Sequence, residues 1–380
     1  MPTKNRFLGA CYLALFCCVT LGVAQERPRT VGQSGSAAAQ RPVEDVMRVN
    51  TRAVFIDTLV RDSKTNEPVR DMKAEDFQVF DDGKPRKLSY FTREGDTRRP
   101  LALLLFIDLW TQYGKSHLKS SDAMRRLASA LTKLAPEDQV AVMVTWIEEG
   151  QVPGPPLPKV RMVENFTRDR EKAATALLSV PELIRQQEQR LEEISQRSAR
   201  AGGDSFFDIV WSLSDVASQV IPLAAEFPNS QFAVVGVIAD LFDLERGERE
   251  EAAETAIRAG ITFNGLVFKK SLAGKMFFGT VNKVFMGPRG RSVRAADYLA
   301  KQTGGEVASV GQPDDLASGL EGFISSLMAR YNLGFNLEEH EQDDGRMHTL
   351  EVRIKPSDSR GKQRKLLVKA RRGYYTPLTR

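Results

Sequence analysis

Cysteine is nearly missing from this 380-residue chain: there are three, Cys11, Cys17 and Cys18, all within the first two dozen residues. Those residues read as a signal peptide, with Lys4 and Arg6 as a positive start, Phe7 to Leu21 as an apolar stretch and Gly22-Val23-Ala24 as a small-residue cleavage site. Cleavage is expected after Ala24, which leaves a mature chain with no disulfide, no thiolate nucleophile and no cysteine metal ligand. A lipid-modified Cys11 would have only Phe7 and Leu8 as its apolar region, which is too short. Long apolar runs are also lacking. The leader's run is interrupted by Gly9 and Thr20 and falls short of the ~20 residues a spanning helix needs, so export to the periplasm or the medium, without a membrane span, is expected.

Catalytic signatures are absent as well. There is no Gly-x-Ser-x-Gly elbow, no phosphate-binding loop and no dinucleotide fingerprint after a strand. The three histidines, His117, His340 and His348, stand in unrelated contexts outside any nucleophile or metal constellation and are expected at the surface. These absences point away from an enzyme, with an unrecognised hydrolase on an α/β scaffold as the competing reading. Strong charge of one sign is missing too: loss of Lys4 and Arg6 with the leader lowers the formal +5 to +3, which implies no polyanion partner. Basic and aromatic residues do interleave over 269–294, a pattern that can bind single-stranded nucleic acid. Without a recognition motif this stretch is read as an elaborated surface loop, and nucleic acid is not expected as a partner.

What is present is the composition of a folded protein, 42% hydrophobic and 27% charged, on a chain long enough for more than one unit. Residues 25–47, rich in Gln, Ser, Ala, Pro and Arg, read as a flexible linker. Residues 48–98 read as β: Val54, Ile56, Thr58 and Val60 alternate with their neighbours, and Gln78-Val79-Phe80 and Leu88 to Phe91 flank Asp81-Asp82-Gly83-Lys84, a hairpin signal. Residues 99–331 alternate between buried strands (Leu101 to Ile107, Val140 to Ile147, Phe232 to Ala239, Ile261 to Phe268) and amphipathic helices. The last of these helices carries Leu316, Leu320, Phe323, Leu327 and Tyr331. That pattern calls for an α/β fold with a doubly wound, mainly parallel, Rossmann-like sheet. Residues 332–380 return to strand alternation. Because neither β segment suffices alone, the two are expected to pair into one small β-sandwich into which the α/β domain is inserted. Glu182 to Arg200 reads as a charged helix with a narrow apolar strip, either a solvated surface helix or a partner-binding one.

Ligands of open α/β sheets bind beyond the carboxyl ends of the strands, and two aspartates stand there, Asp108 after the first strand and Asp240 after Ala239. Asp204 and Asp208 open a helix after Gly202-Gly203.

In the order Lys73 to Pro85, Leu101 to Asp108, Gly202-Gly203, Ala259 to Thr262, Thr303-Gly304-Gly305 and Arg372 to Tyr375, the chain resembles the von Willebrand factor type A (VWFA) related proteins common in acidobacteria. The resemblance covers most of the mature chain and implies protein binding at a metal-ion-dependent adhesion site, in which oxygen ligands hold Mg²⁺ and leave one position for a partner's carboxylate. Asp108 matches the motif aspartate and Asp240 the later one. The two serine positions are Trp110 and Gln112, and the threonine position is Asp204, with Ser205 beside it. Because tryptophan cannot ligate a hard cation, the site is expected to be degenerate. Asp108, Asp204 and Asp240 are then either a regrouped metal site or ordinary helix-capping and solvent-facing aspartates. No cofactor is therefore assigned, and Mg²⁺ is the one candidate. Trp110, Gln112 and Tyr113 share the loop, where exposed aromatics would suit a protein partner; alternatively Trp110 folds inward and fills the vacated metal position.

Overall fold

The computed structural model describes residues 52–93, 98–109, 115–148, 157–200, 213–239, 246–268, 295–338, 344–355 and 365–376. The alternating segment near the start forms β1 (Ala53–Asp62), followed by β2 (Phe77–Asp81), β3 (Lys84–Arg86) and β4 (Tyr90–Thr92). The α/β region comprises β5 (Leu101–Ile107), α1 (Lys115–Leu118), α2 (Ser121–Ala130), β6 (Gln139–Glu148), β7 (Leu157–Thr167), α3 (Arg170–Leu178), α4 (Val180–Arg200), α5 (Leu213–Ala225), β8 (Gln231–Ala239), α6 (Arg246–Arg258), β9 (Thr262–Phe268), α7 (Ala295–Thr303), β10 (Val307–Val310) and α8 (Asp314–Met328). The chain closes with β11 (Tyr331–Asn336), β12 (Met347–Ile354), β13 (Leu366–Lys369) and β14 (Gly373–Tyr375).

Six strands make the central sheet in the order β10-β9-β8-β5-β6-β7, parallel throughout except for β7, which runs antiparallel along the β6 edge. Numbered from β5, this is the 3-2-1-4-5-6 order of a doubly wound sheet, with its switch point between β5 and β8. All seven residues of β5 are buried, and they divide by parity. Leu101, Leu103, Leu105 and Ile107 pack with Leu127 of α2, Leu177 of α3 and Phe323 of α8, while Ala102, Leu104 and Phe106 pack with Val220 of α5, Ala256 of α6 and Ala296 of α7. At roughly 1.5–3 kcal/mol for each large apolar side chain removed from water, this strand is the sheet's main apolar anchor.

The N- and C-terminal strands pair with each other, as expected, in two four-stranded sheets, β13-β1-β11-β4 and β14-β12-β2-β3. β1 serves two partners in turn: residues 53–58 pair with β11 and residues 59–62 with β13. Between the sheets lies a core that includes Ile56, Val60, Met72, Phe77, Val79, Leu333 and Phe335.

Two local expectations are corrected. The Asp82-Gly83 turn, with φ of +46° and +79°, does make a hairpin, but its second strand is β3. Leu88 to Phe91 leads instead into β4 of the other sheet, against β11. Tyr331 is not on the last helix; it opens β11, wholly buried, where its hydroxyl donates to the Val69 carbonyl (2.8 Å) and accepts the Met72 N–H (3.1 Å). The narrow apolar strip on the charged helix is real and is covered: α4 buries Val180, Leu183, Ile184 and Ile194.

A buried ion network ties the two halves. Arg61 of β1 donates from Nε and Nη2 to the two carboxylate oxygens of Glu306 at 2.9 and 2.7 Å, and Lys369 of β13 reaches Oε1 at 2.7 Å. Glu306 precedes β10 and its side chain is 8% exposed. Its N–H donates to Asn264 Oδ1 (3.0 Å), so the carboxylate is fixed to the central sheet. Burial pushes the Glu306 carboxyl up, but hydrogen bonds from Arg61 and Lys369, the Lys369 charge and Ser326 outweigh it and bring the group down to about 2. A carboxyl whose folded value lies below its unfolded value, near 4.5, stabilises the fold fully above that value. The contribution fades as pH falls toward 2. Glu306→Gln strands two cations and should cost about 3 kcal/mol in urea unfolding at pH 7. The gap between wild type and variant should shrink steadily when the titration is repeated at pH 4 and pH 3; a pH-independent gap would remove the ion network as its cause.

Candidate site at the strand-end rim

The switch point lies where the carboxyl ends of β5 and β8 run side by side. Ile107 stands opposite Val237 in parallel register, so Asp108 leaves the sheet beside the last residues of β8, and Ala239, which immediately precedes Asp240, ends at the same edge. β5 is held at its other end by Asp138, also wholly buried, which accepts the Leu101 N–H (2.8 Å), the Ala135 N–H (2.9 Å) and both Arg98 contacts (2.8 and 2.9 Å). Anchored at its base by a carboxylate and packed on both faces, β5 is a rigid post for Asp108.

Asp108 is not solvent-facing. It is 0% exposed, and its Oδ1 accepts a 3.0 Å hydrogen bond from the Thr145 hydroxyl on β6. The same hydroxyl accepts the Leu109 N–H at 2.8 Å, and the Asp108 N–H donates to the Val237 carbonyl at 3.0 Å. One threonine therefore holds both the carboxylate and the backbone that follows it, which the sequence did not signal because Thr145 sits inside an apolar strand. Of the other residues expected at this rim, Trp110, Gln112, Tyr113, Asp204 and Asp240 lie outside the described residues. Among the described residues the rim thus offers two hard oxygen donors, Asp108 and Thr145, which suit Mg²⁺ in kind but fall short of the six oxygens of its octahedron. His117 also stands near this edge, half-buried and stacked on Phe268 at the end of β9 with ring centroids 5.6 Å apart.

A second cluster, missed in the sequence, lies in the sandwich. His348 is not a free surface residue: its Nδ1 is 3.0 Å from Asp82 Oδ2, its Nε2 is 3.3 Å from Asp344 Oδ1, and its ring stacks on Tyr374. Donor atoms of Asp81, Asp82 and His348 lie within 4.8 Å of one another. These groups are already committed. Arg86 holds Asp81 Oδ2 at 2.7 Å and the Tyr374 hydroxyl donates to the same atom, while the Thr349 N–H donates to Asp82 Oδ1. Desolvation raises the Asp344 carboxyl, but hydrogen bonds from the Arg346 N–H, Thr376, His348 and the Arg346 side chain bring it down to about 2. The cluster fastens β2, β12 and β14 together.

No family model matches the sequence, and no curated protein matches it. Solved structures with a similar arrangement include a von Willebrand factor type A protein from Catenulispora acidiphila (11% identity, 81% of this chain and 75% of that one, TM-score 0.37). An aerotolerance-related membrane protein from Bacteroides fragilis matches at 14% identity over 59% of this chain and 98% of that one, with a TM-score of 0.33. The SpRpn10 VWA domain matches at 12% identity over 58% and 95%, with a TM-score of 0.32.

Replacing Thr145 by Val keeps the strand's shape but withdraws the hydroxyl from both Asp108 and the Leu109 N–H. The expected cost is about 2–3 kcal/mol in chemical denaturation, since buried polar groups lose their partner. Thr145→Ser, which retains the hydroxyl, should lose less than half as much. Equal losses would show that the methyl group, not the hydrogen bonds, matters.

Proposed function

We propose that the protein is an exported protein-binding module of the adhesion or scaffold type, with its partner docked on the strand-end face and with metal dependence weak or lost. The observation that carries this reading is the placement of Asp108: at the switch point of a doubly wound sheet, on a rigid strand, but sunk to 0% exposure with Oδ1 taken by Thr145. A carboxylate so enclosed supports the rim more readily than it greets a ligand, so recognition falls to Trp110, Gln112 and Tyr113, which follow it in the sequence. The fold is the one the VWFA resemblance implies, and the non-enzymatic part of the proposal rests on the lack of any nucleophile motif in the sequence. Among the described residues no helix is long and apolar enough to cross a membrane.

The alternative is a working, regrouped site in which Asp108, Asp204 and Asp240 hold Mg²⁺ for an acidic ligand; the pairing of Asp108 with a neighbouring hydroxyl favours it. Bound there, the cation would offer one open position to a partner's carboxylate. Calorimetric titration with Mg²⁺ and Mn²⁺ separates the two. The leading reading expects no micromolar heat, whereas micromolar binding abolished by Asp108→Ala would replace it with the alternative. In pull-downs from an exported fraction, Trp110→Ala should lose a band that the wild type retains. An unchanged band pattern would remove the aromatic loop from the interface.

A further inference from the structure

At the opposite edge of the central sheet, where β5 and β9 begin, the sandwich and the α/β region leave a cleft of about 470 Å³. Arg52, Arg99, Arg258 and Arg371 line it, with Asp57 as the acidic residue among the described lining and Tyr375 on its wall. Its size is within the range of ligand pockets, roughly 300–1,000 Å³. Charge accounting across this junction does not close. Glu306 is shared by two cations, Arg61 and Lys369, and Asp57 takes Arg99 through both oxygens at 2.8 and 2.7 Å. Among the described residues, two further guanidiniums donate their hydrogen bonds to backbone carbonyls. Arg330, 7% exposed, donates to the Asp57 carbonyl (3.3 Å) and the Gly304 carbonyl (2.7 Å), and half-buried Arg371 donates to the Phe55 carbonyl (2.7 Å). The Nε of each is closed off from solvent and meets no acceptor among the described residues. Burial lowers both guanidiniums from their ordinary value; Asp57 and Glu306 oppose this at Arg330 while Arg61 adds to it, and at Arg371 Asp57 opposes it and Arg99 adds to it. Cations withdrawn from water with no carboxylate bonded to them directly are costly, and an anion within hydrogen-bond reach relieves them.

One wall of the cleft is fixed by a close backbone approach. Gly304 has a φ of +80°, and a Cβ there would meet the backbone of Ala370 and Arg371 at 2.7 Å. This close approach lets Thr303 bridge Arg371 and lets the Arg372 N–H donate to the Gln302 carbonyl at 2.9 Å. Arg371 is thereby held at the cleft by backbone contacts on the α7 side. Across from it, Arg258 lies 3.6 Å from the Tyr375 ring centroid and pairs with Glu254 at 2.8 Å, which fixes a second guanidinium in a planar, stacked pose.

We propose that this cleft is a binding site for a small ligand bearing an oxyanion group, a phosphate or a carboxylate, gripped by Arg371, Arg258 and Arg99. Guanidinium forks suit either group, and stacking on Tyr375 preorganises one of them. The site is independent of the strand-end reading, because it lies at the other edge of the sheet and uses none of the same residues.

The test is calorimetric titration of the full chain at low ionic strength with inorganic phosphate in one arm and succinate in the other, against chloride matched for ionic strength. Saturable one-site binding in either arm, beyond the chloride response, is expected, and the arm that responds tells phosphate from carboxylate. Arg371→Gln should weaken it at least tenfold. Arg258→Gln, whose side chain is 47% exposed and whose loss leaves the core intact, should weaken it several-fold and keeps the test valid if the Arg371 variant fails to fold. Responses no greater than chloride in both arms, or an Arg258→Gln protein that binds like wild type, would overturn the proposal.

Discussion

The Glu306 carboxylate, shared between Arg61 and Lys369, is the contact that ties the sandwich to the α/β region. The three residues come from distant parts of the sequence: a strand near the start, the turn before an edge strand of the central sheet, and a strand near the end. A sandwich built from both ends of a chain has no covalent reason to keep a fixed attitude to the domain inserted between them. A buried ion network supplies one, because its hydrogen-bond geometry is satisfied in a single relative placement, whereas apolar contact alone tolerates sliding. Around it the same junction collects more guanidiniums than carboxylates, so that a structural tie and an electrostatically unfinished cleft occupy neighbouring ground.

The central sheet distributes its tasks by edge. At the carboxyl edge, Asp108 and Thr145 form a stiff polar corner within an otherwise apolar post, and at the amino edge Asp138 fixes the start of the same strand. Both carboxylates are wholly buried and both accept backbone N–H groups or hydroxyls that would otherwise be stranded. β5 is thus bracketed by buried acids, Asp138 holding its backbone directly and Asp108 through the Thr145 hydroxyl, and whatever happens on the rim beyond Asp108 starts from a fixed origin.

Much of this was legible in the residues. The continuous apolar run of Leu101 to Ile107 announced a strand buried on both faces, and the period-two alternation of β1 and β12 announced a sandwich. The need for enough strands to make two sheets was enough to pair the chain's ends. Errors arose where a short segment satisfies more than one pattern. Lys84-Pro85-Arg86 has no apolar alternation, so the hairpin was assigned to the more hydrophobic Leu88 to Phe91. β7, an edge strand with Lys159 and Arg161 exposed and Glu164 half-buried, carries too much charge to stand out beside its buried neighbours. Tyr331 fits both the end of a helical stripe and the start of a strand, and only the long-range hydrogen bonds to Val69 and Met72 decide between them. At the candidate site Asp108 was found from its place after a strand. Thr145 was not, because nothing local distinguishes a threonine that bonds across the sheet from one that merely fits it.

The way β1 divides its pairing has a consequence in time. Its first six residues await β11 and its last four await β13, partners separated from it by the entire inserted domain. No part of the first sheet can be completed until the ribosome has delivered nearly the whole polypeptide, whereas the central sheet can assemble from contiguous units well before. Such high contact order makes the sandwich the slow and late step, and the inserted domain, by bringing residues 93 and 331 near one another, shortens the search that step requires.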